Sequence, residues 1–525
     1  MSRALSVFRR LIRLRKMSTP PPSVSEATTT TTIDNSEFNP VTEGSATILF
    51  PKAEDVFYNP IQQFNRDLST LSIRAWSEIY GEQLIKKRKH DQDEPDNQRP
   101  YISILEALSA TGLRAVRYAK EIPRVQRVVA NDFLAEAVKS IERNAKYNGV
   151  ENIVVPNKGD ANAYMHQSKA DGKLFNVIDL DPYGTASPFI DAAIQSVSND
   201  GLLLVTCTDL AVLAGGGYPE KCFALYGGSP LINHDAAHEA ALRLVLGMIS
   251  NSAAKYKKTI EPLMCLSIDF YVRLFIRVKT SPAKVKELGS KMSTQYMCSG
   301  CGAIQDQPLG KVTVRENGTK KFGLAQAPQN LGPLCSYCGF VNHVAGPMYN
   351  GKLHNKDFIS KVLELNKDAS DEIYKTRKRI EGMLTLAQNE LDDAQFYFKP
   401  ERVSSIIKCQ VPPLKVLIAG LGNLGYDASL THAIPSAIKT NAPWGEIWGL
   451  LKEYVKQRCP EHKMDKLSET TAGYRILTNE NVKCEKEVSF ELNEMSAKVE
   501  KLRKLKITRY QENPQKNWGP KAKPQ

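Results

Sequence analysis

Residues 101–132 read YISILEALSATGLRAVRYAKEIPRVQRVVAND. An apolar run, YISILEAL (101–108), gives way to small residues and a glycine. A helix is predicted over GLRAVRYAKEI (112–122), and a second apolar run, RVVAND (127–132), closes on an aspartate. Strands buried on both faces have no polar side, so they read as continuous rather than alternating runs, and such runs separated by helices mark a parallel sheet. The pattern repeats downstream. LAEAVKSIERNAKYN (134–148), with Ala137, Val138 and Ile141, predicts a helix. NIVV (152–155), LFNVIDL (174–180) and GLLLVTCT (201–208) predict strands, with helical stretches between the later ones. LMCLSIDFYVRLFIRVK (263–279) is strand-like and suits an antiparallel closing strand. The expected fold class is α/β, a doubly wound sheet.

The alternation ends near residue 280. Two C-x-x-C pairs follow, then a stretch of mixed α/β character, then a basic tail. At 525 residues the chain can bury two or three cores. Four segments are expected: 1–45, 46–280, 281–497 and 498–525. The first sixteen residues, MSRALSVFRRLIRLRK, carry six Arg or Lys and no acid, interleaved with Leu5, Phe8, Leu11, Ile12 and Leu14. That is transit-peptide composition. Met17 offers a second translation start, so a mitochondrial form and a nuclear form are both expected. Lys86–Lys89 is a candidate import signal within a charged loop. Residues 18–45, rich in Thr, Ser and Pro, read as a linker.

A formal net charge of +13 favours a polyanionic partner. No apolar run approaches the roughly 20 residues that span a bilayer, so membrane insertion is not expected. CSGC (298–301) and CSYC (335–338) are separated by 33 residues. Two such pairs suit a closed, tetrahedral, structural zinc site formed by Cys298, Cys301, Cys335 and Cys338. The other six cysteines read as ordinary buried thiols. Residues 498–525 hold nine Lys or Arg against two Glu, with Tyr510 and Trp518, which suits phosphate contact and base stacking. VLIAGLGNLG (416–425) matches a dinucleotide fingerprint formally. No strand–helix alternation surrounds it, so it reads as a helix (Leu414, Leu417, Ile418, Leu421) ending near Gly422 or Gly425.

Open parallel sheets bind ligands beyond the carboxyl ends of their strands. Past the first strand lies SATGLRA (109–115), a loop small enough for close backbone approach. Past the second is Asp132, placed to bind ribose hydroxyls, and past the third Asp160, placed to accept from an adenine amino group. Each aspartate alone also suits a helix cap. The loop lacks the glycines of a pyrophosphate site, which points to S-adenosylmethionine.

Past the fourth strand comes DLDPYG (179–184). An exocyclic amine on a nucleobase is a poor nucleophile, because its lone pair is delocalised into the ring. A carboxylate that holds its hydrogens favours the tetrahedral nitrogen that attacks a methyl group. Asp181 is the preferred acceptor over Asp179, because Pro182 restricts it to extended conformations. Tyr183 offers a stacking face. Upstream, VFYNPIQQFNRDLS (56–69) places Phe57, Tyr58 and Phe64 ahead of Arg66. These aromatics suit staple and core positions, or a lid over the site with Arg66 binding a methionine carboxylate.

FYNPIQQFNRDLS, LEALSATGLRAVRYAKE, DLDPYGTASPF, the paired cysteines and the terminal RYQENPQKNWGPK together resemble the tRNA (guanine-26-N2)-dimethyltransferase family, over roughly residues 46–525. The resemblance implies a class I (Rossmann-like) methyltransferase domain followed by a C-terminal tRNA-binding domain. It implies transfer of one or two methyl groups from S-adenosylmethionine to the guanine amino group at position 26 of tRNA. By motif, Arg66, Arg114, Asp132, Asp160 and Ala161 would contact the cofactor. Asp181 would accept from the amino group, with Phe57 and Tyr183 stacking on the guanine. No protein partner is implied. The family carries more basic residues around THAIPSAIKTNAP (431–443) than this chain does. The rival readings are an amino methyltransferase acting on DNA adenine or protein glutamine, and a non-catalytic tRNA-binding folding factor.

Overall fold

The computed structural model describes residues 37–52, 58–81, 99–328, 331–462, 467–505 and 508. The leader, the 86–89 run, Phe57, Tyr510 and Trp518 lie outside them.

The folded part begins earlier than residue 46. Strands β1 (Phe38–Glu43) and β2 (Ala46–Pro51) form an antiparallel hairpin. Its anchor is Glu43, whose carboxylate is buried against Arg66 and Arg117. The Thr-rich composition of this stretch reads as linker because one buried acid leaves no periodic signal. Helix α1 (Gln63–Trp76) follows, buried along nearly its whole length.

The centre is a seven-stranded sheet. Its strands are β3 (Ile102–Glu106), β4 (Val125–Asp132), β5 (Val154–Lys158), β6 (Phe175–Leu180), β7 (Val197–Cys207), β8 (Lys258–Ile268) and β9 (Tyr271–Thr280), in the order β5-β4-β3-β6-β7-β9-β8. The first five named in that order are parallel, and β9 runs antiparallel to both its neighbours. The single strand expected over 263–279 is two strands of a hairpin. The apolar run continues through both, and only Asp269, with φ 45°, marks the reversal.

Successive strand residues face opposite sides, and here both sides are core. Ile178 and Leu203 pack with α4 (Ala161–Ala170), α5 (Ser187–Ser196) and the helix Ala237–Lys255. Val177 and Leu202 pack with α1, α2 (Leu113–Glu121) and α3 (Ala135–Tyr147). That second face is completed by Phe358, Ile359, Ile380 and Leu384 from the helices Lys356–Asp368 and Arg377–Asn389. The chain beyond 280 therefore helps to cover the sheet.

Beyond the sheet, β10 (Met292–Cys298) lies between β11 (Ile304–Pro308) and β14 (Asn342–Tyr349). A separate hairpin, β12 (Gly310–Val314) with β13 (Lys320–Leu324), projects between β11 and β14 in the chain. Helix Leu414–Leu424 has Leu417, Ile418 and Leu421 in a third core, and Gly425 caps it at φ 96°. The formal nucleotide fingerprint is thus helix packing. Much of segment 431–443 is buried too: the Lys439 ammonium lies 3.2 Å from Glu239 and 3.3 Å from Glu390.

Candidate active site

Strand order reverses between β3 and β6, so a crevice opens beyond their carboxyl ends. The loop after β3 turns at Gly112 into α2. Glu106, the last residue of β3, organises this loop: its buried carboxyl accepts from the Ser109 hydroxyl and, at 3.1 Å, from the Ala115 amide. Burial pushes that carboxyl up to about 8 against the opposing Ser109 hydrogen bond and Arg114 charge.

The two aspartates of DLDPYG divide the work. Asp179 lies within β6 and is buried, accepting from the Tyr118 hydroxyl at 2.6 Å and from Arg273 at 2.8 Å. Asp181 lies one residue past the strand, and its side chain is 25% exposed. The Arg114 guanidinium donates to it. Burial raises the Asp181 carboxyl, but the Arg114 and Arg273 charges and hydrogen bonds from Thr206 and Arg114 outweigh it and hold it below the usual carboxylate range. An anionic acceptor thus stands at the strand tip. Beside it the ring of Tyr183 is half exposed. The turn is closed by Gly184 (φ 82°), whose amide donates to the Thr208 hydroxyl and whose carbonyl accepts from the Thr208 amide, both at 2.8 Å. A side chain with a Cβ is disfavoured at that φ.

Of the other expected residues, Asp132 and Asp160 lie at the carboxyl ends of β4 and β5, and Arg66 lies on α1. Asp132 accepts from the Ala110 amide at 2.9 Å and from the Leu134 amide at 3.0 Å, tying the loops after β3 and β4 together. Asp160 caps α4 through the Ala163 amide at 2.8 Å, and Ala161 opens that helix, buried. Arg114 is buried and donates to Asp181. Arg66 is held by Glu43 through two nitrogens and donates to the Asn59 carbonyl at 3.0 Å. Tyr58 is half-buried on Glu43, and Phe64 is core.

Sequence reasoning passed over Glu106, Arg273 and Thr208. The first two carried a signal: each is a lone charge inside an apolar strand, a position that requires a partner. Phe133 was also missed. It follows Asp132 directly, and its ring is 70% exposed at the crevice edge.

The four paired cysteines converge. Cys298 and Cys338 Sγ are 3.4 Å apart, Cys301 and Cys335 Sγ 3.7 Å, and all four lie within 4.8 Å of one another. Zinc–sulfur bonds of about 2.3 Å in a tetrahedron place sulfurs roughly 3.8 Å apart, so the set fits a zinc ion. His354, Glu390 and His432 also converge. Both His432 ring nitrogens are engaged, however. Nε2 accepts from the Ser267 amide at 3.0 Å, and Nδ1 lies 2.6 Å from Glu390. With the Lys439 ammonium beside Glu390, the His432 and Glu390 groups are already committed to partners within the protein.

The sheet order and the crevice at its switch point are those of the class I methyltransferase fold. The family model described as "TRM: N2,N2-dimethylguanosine tRNA methyltransferase" matches residues 34–452. A mitochondrial tRNA (guanine(26)-N(2))-dimethyltransferase of Saccharomyces cerevisiae is 55% identical, with 94% of this chain and 93% of that protein covered. The Schizosaccharomyces pombe tRNA (guanine(26)-N(2))-dimethyltransferase is 47% identical, with 92% of each covered. Among solved structures, Trm1 from Pyrococcus horikoshii in complex with S-adenosyl-L-methionine aligns with a TM-score of 0.63 at 28% identity, covering 78% of this chain and 98% of its own. The chain belongs to the N2,N2-dimethylguanosine tRNA methyltransferase family.

Proposed function

We propose that the chain transfers one or two methyl groups from S-adenosylmethionine to the exocyclic N2 of guanine 26 in tRNA. The observation that carries this reading is Asp181, an anionic carboxylate at the tip of β6, at the switch point, beside the exposed ring of Tyr183. Bound S-adenosylmethionine supplies a methyl carbon on a sulfonium sulfur. The target guanine leaves the stack and lies between Phe57 and Tyr183. Asp181 accepts a hydrogen bond from N2, aligns its lone pair and offsets the positive charge that develops there. Because Arg114 and Arg273 keep Asp181 a weak base, its part is electrostatic, and the N2 proton passes to solvent. Positioning supplies most of the rate. Asp132 and Asp160 serve the adenosine end of the cofactor, with Ala161 and Phe133 against the adenine. Arg66 and Arg114 serve its carboxylate end.

Catalysis is assigned to the part up to about residue 280 and tRNA binding to 281–497, with the tail 498–525 adding RNA contacts. The four cysteines hold a structural zinc ion. The leader directs one form to mitochondria, and initiation at Met17 gives a nuclear form. Nucleoside analysis of tRNA from cells lacking the chain tests the activity. Loss of N2-methylated guanosine at position 26, restored by the intact chain, is the expected result, and unchanged modification rejects it.

A further inference from the structure

The 33 residues between the cysteine pairs are more than a compact zinc knuckle needs. Most of the excess is the β12–β13 hairpin. Among the described residues it hydrogen-bonds to no other strand, and none of its residues enters a hydrophobic core. It is seated on the residues after Thr280: at its open end Gly310 lies against Gly289, and beside its turn the Lys320 ammonium reaches Glu287 at 2.5 Å.

Register sorts its side chains. Lys311 faces Gly323, and Thr313 faces Lys321. These residues share one side of the ribbon, which Arg315 extends at the turn. Lys311, Arg315 and Lys321 are exposed, and no carboxylate pairs with them among the described residues. Lys284, Lys286 and Lys291 lie on the segment that seats the hairpin, so residues 282–324 carry seven Lys or Arg against three acids. A stable protein gains nothing from like charges aligned on an exposed ribbon. The arrangement complements a phosphate backbone.

Its location adds a constraint. Leu180 pairs with Val205, and Gly201 with Val278, so Asp181 and Thr280 lie at opposite ends of the sheet. The hairpin, seated on the residues after Thr280, is therefore remote from the crevice and cannot touch the reacting base. Only an extended polyanion reaches both.

We propose that the cationic side of the β12–β13 hairpin binds the phosphate backbone of the substrate tRNA, away from the methylated base. This rests on the reading of the chain as a tRNA methyltransferase. The test uses the full chain and a transcribed tRNA carrying guanine 26. A triple variant, Lys311→Ala, Arg315→Ala and Lys321→Ala, is compared with Lys311→Arg, Arg315→Lys and Lys321→Arg. Removing one cation from a phosphate lowers the salt slope by about one. The alanine variant should raise the tRNA Kd and KM roughly tenfold and cut the slope of log Kd against log salt by about three. Its kcat at saturating tRNA, cofactor Kd and Tm should stay as in the parent, and the charge-keeping variant should bind as the parent does. Unchanged Kd and slope in the alanine variant, or an equal loss in the charge-keeping one, overturns the proposal. Failure of the parent chain to methylate tRNA at all would instead reject the function, while the binding arms still report on the hairpin.

Discussion

The guanidinium of Arg114 is hydrogen-bonded to the carboxylate of Asp181, joining the start of α2 to the tip of β6. It is the cation that contacts Asp181 directly, and Arg273 acts on Asp181 from β9. Replacing Arg114 with Met removes this charge from a buried neighbour, so the Asp181 pKa rises. The acid limb of kcat against pH, measured with both substrates saturating, should move up by about one unit or more. A limb that stays put means that Arg114 does not set the charge on Asp181.

Asp181→Asn keeps shape and one acceptor oxygen but removes the negative charge. Loss of one preorganised electrostatic partner costs about 10²–10³ in kcat. Single-turnover methylation should fall by that factor, while calorimetric cofactor affinity changes less than about threefold. Retention of kcat within tenfold would sink the role given to Asp181.

Glu106 makes stability depend on pH. Its carboxyl rises from 4.5 to about 8 on burial, so the native state keeps a proton that the unfolded chain releases. That contribution is complete below about 4.5 and is lost as pH rises through about 8. Asp67, pushed up to about 6 by burial, acts with the same sign over a lower window. Glu106→Gln is neutral throughout and still accepts from Ser109. The Tm difference, variant minus parent, should therefore grow between pH 6 and pH 9. A difference that is constant with pH contradicts the assignment.

Removal of one cysteine tests the metal. Cys338→Ser leaves three thiolates, and elemental analysis should fall from one zinc per chain towards none. The knuckle also contacts the helix Ala472–Thr478: Asn479, its C-cap, donates to the Tyr337 carbonyl at 3.1 Å and Arg475 to the Cys338 carbonyl at 3.4 Å. A lower Tm with an unchanged cofactor Kd is expected. Full zinc retention would place the ion elsewhere.

Lys439→Met leaves Glu390 and Glu239 short of a cation in a buried site. Breaking such a cluster on one side costs about 3–5 kcal/mol. Denaturant unfolding should show that loss, and a cost under about 1 kcal/mol would mean that Lys439 is dispensable.

The parallel sheet was legible because its strands are buried on both faces and hence continuously apolar. The same property hid the turn at Asp269, where two strands run together without a polar break. The cysteine site was legible from spacing alone, because tetrahedral thiolate ligation demands paired, nearby residues. Asp181 was separable from Asp179 only through its proline, and the structure adds what no local pattern encodes: the Arg114 and Arg273 partners come from distant strands and helices. Glu43, Arg66 and Arg117 form a network across β1, α1 and α2. Their side chains meet only in three dimensions, so the hold of Glu43 on Arg66 left no mark in the local sequence. The burial of Lys439 was hidden for a similar reason: its partners lie about fifty and two hundred residues upstream.

Phe358, Ile359, Ile380 and Leu384 wall one face of the catalytic sheet from far downstream of its last strand. A premature stop codon anywhere between residues 281 and 355 would leave every reacting side chain encoded. It would nonetheless abolish methylation, because the translated sheet would lack one of its walls and present that oily face to chaperones and proteases.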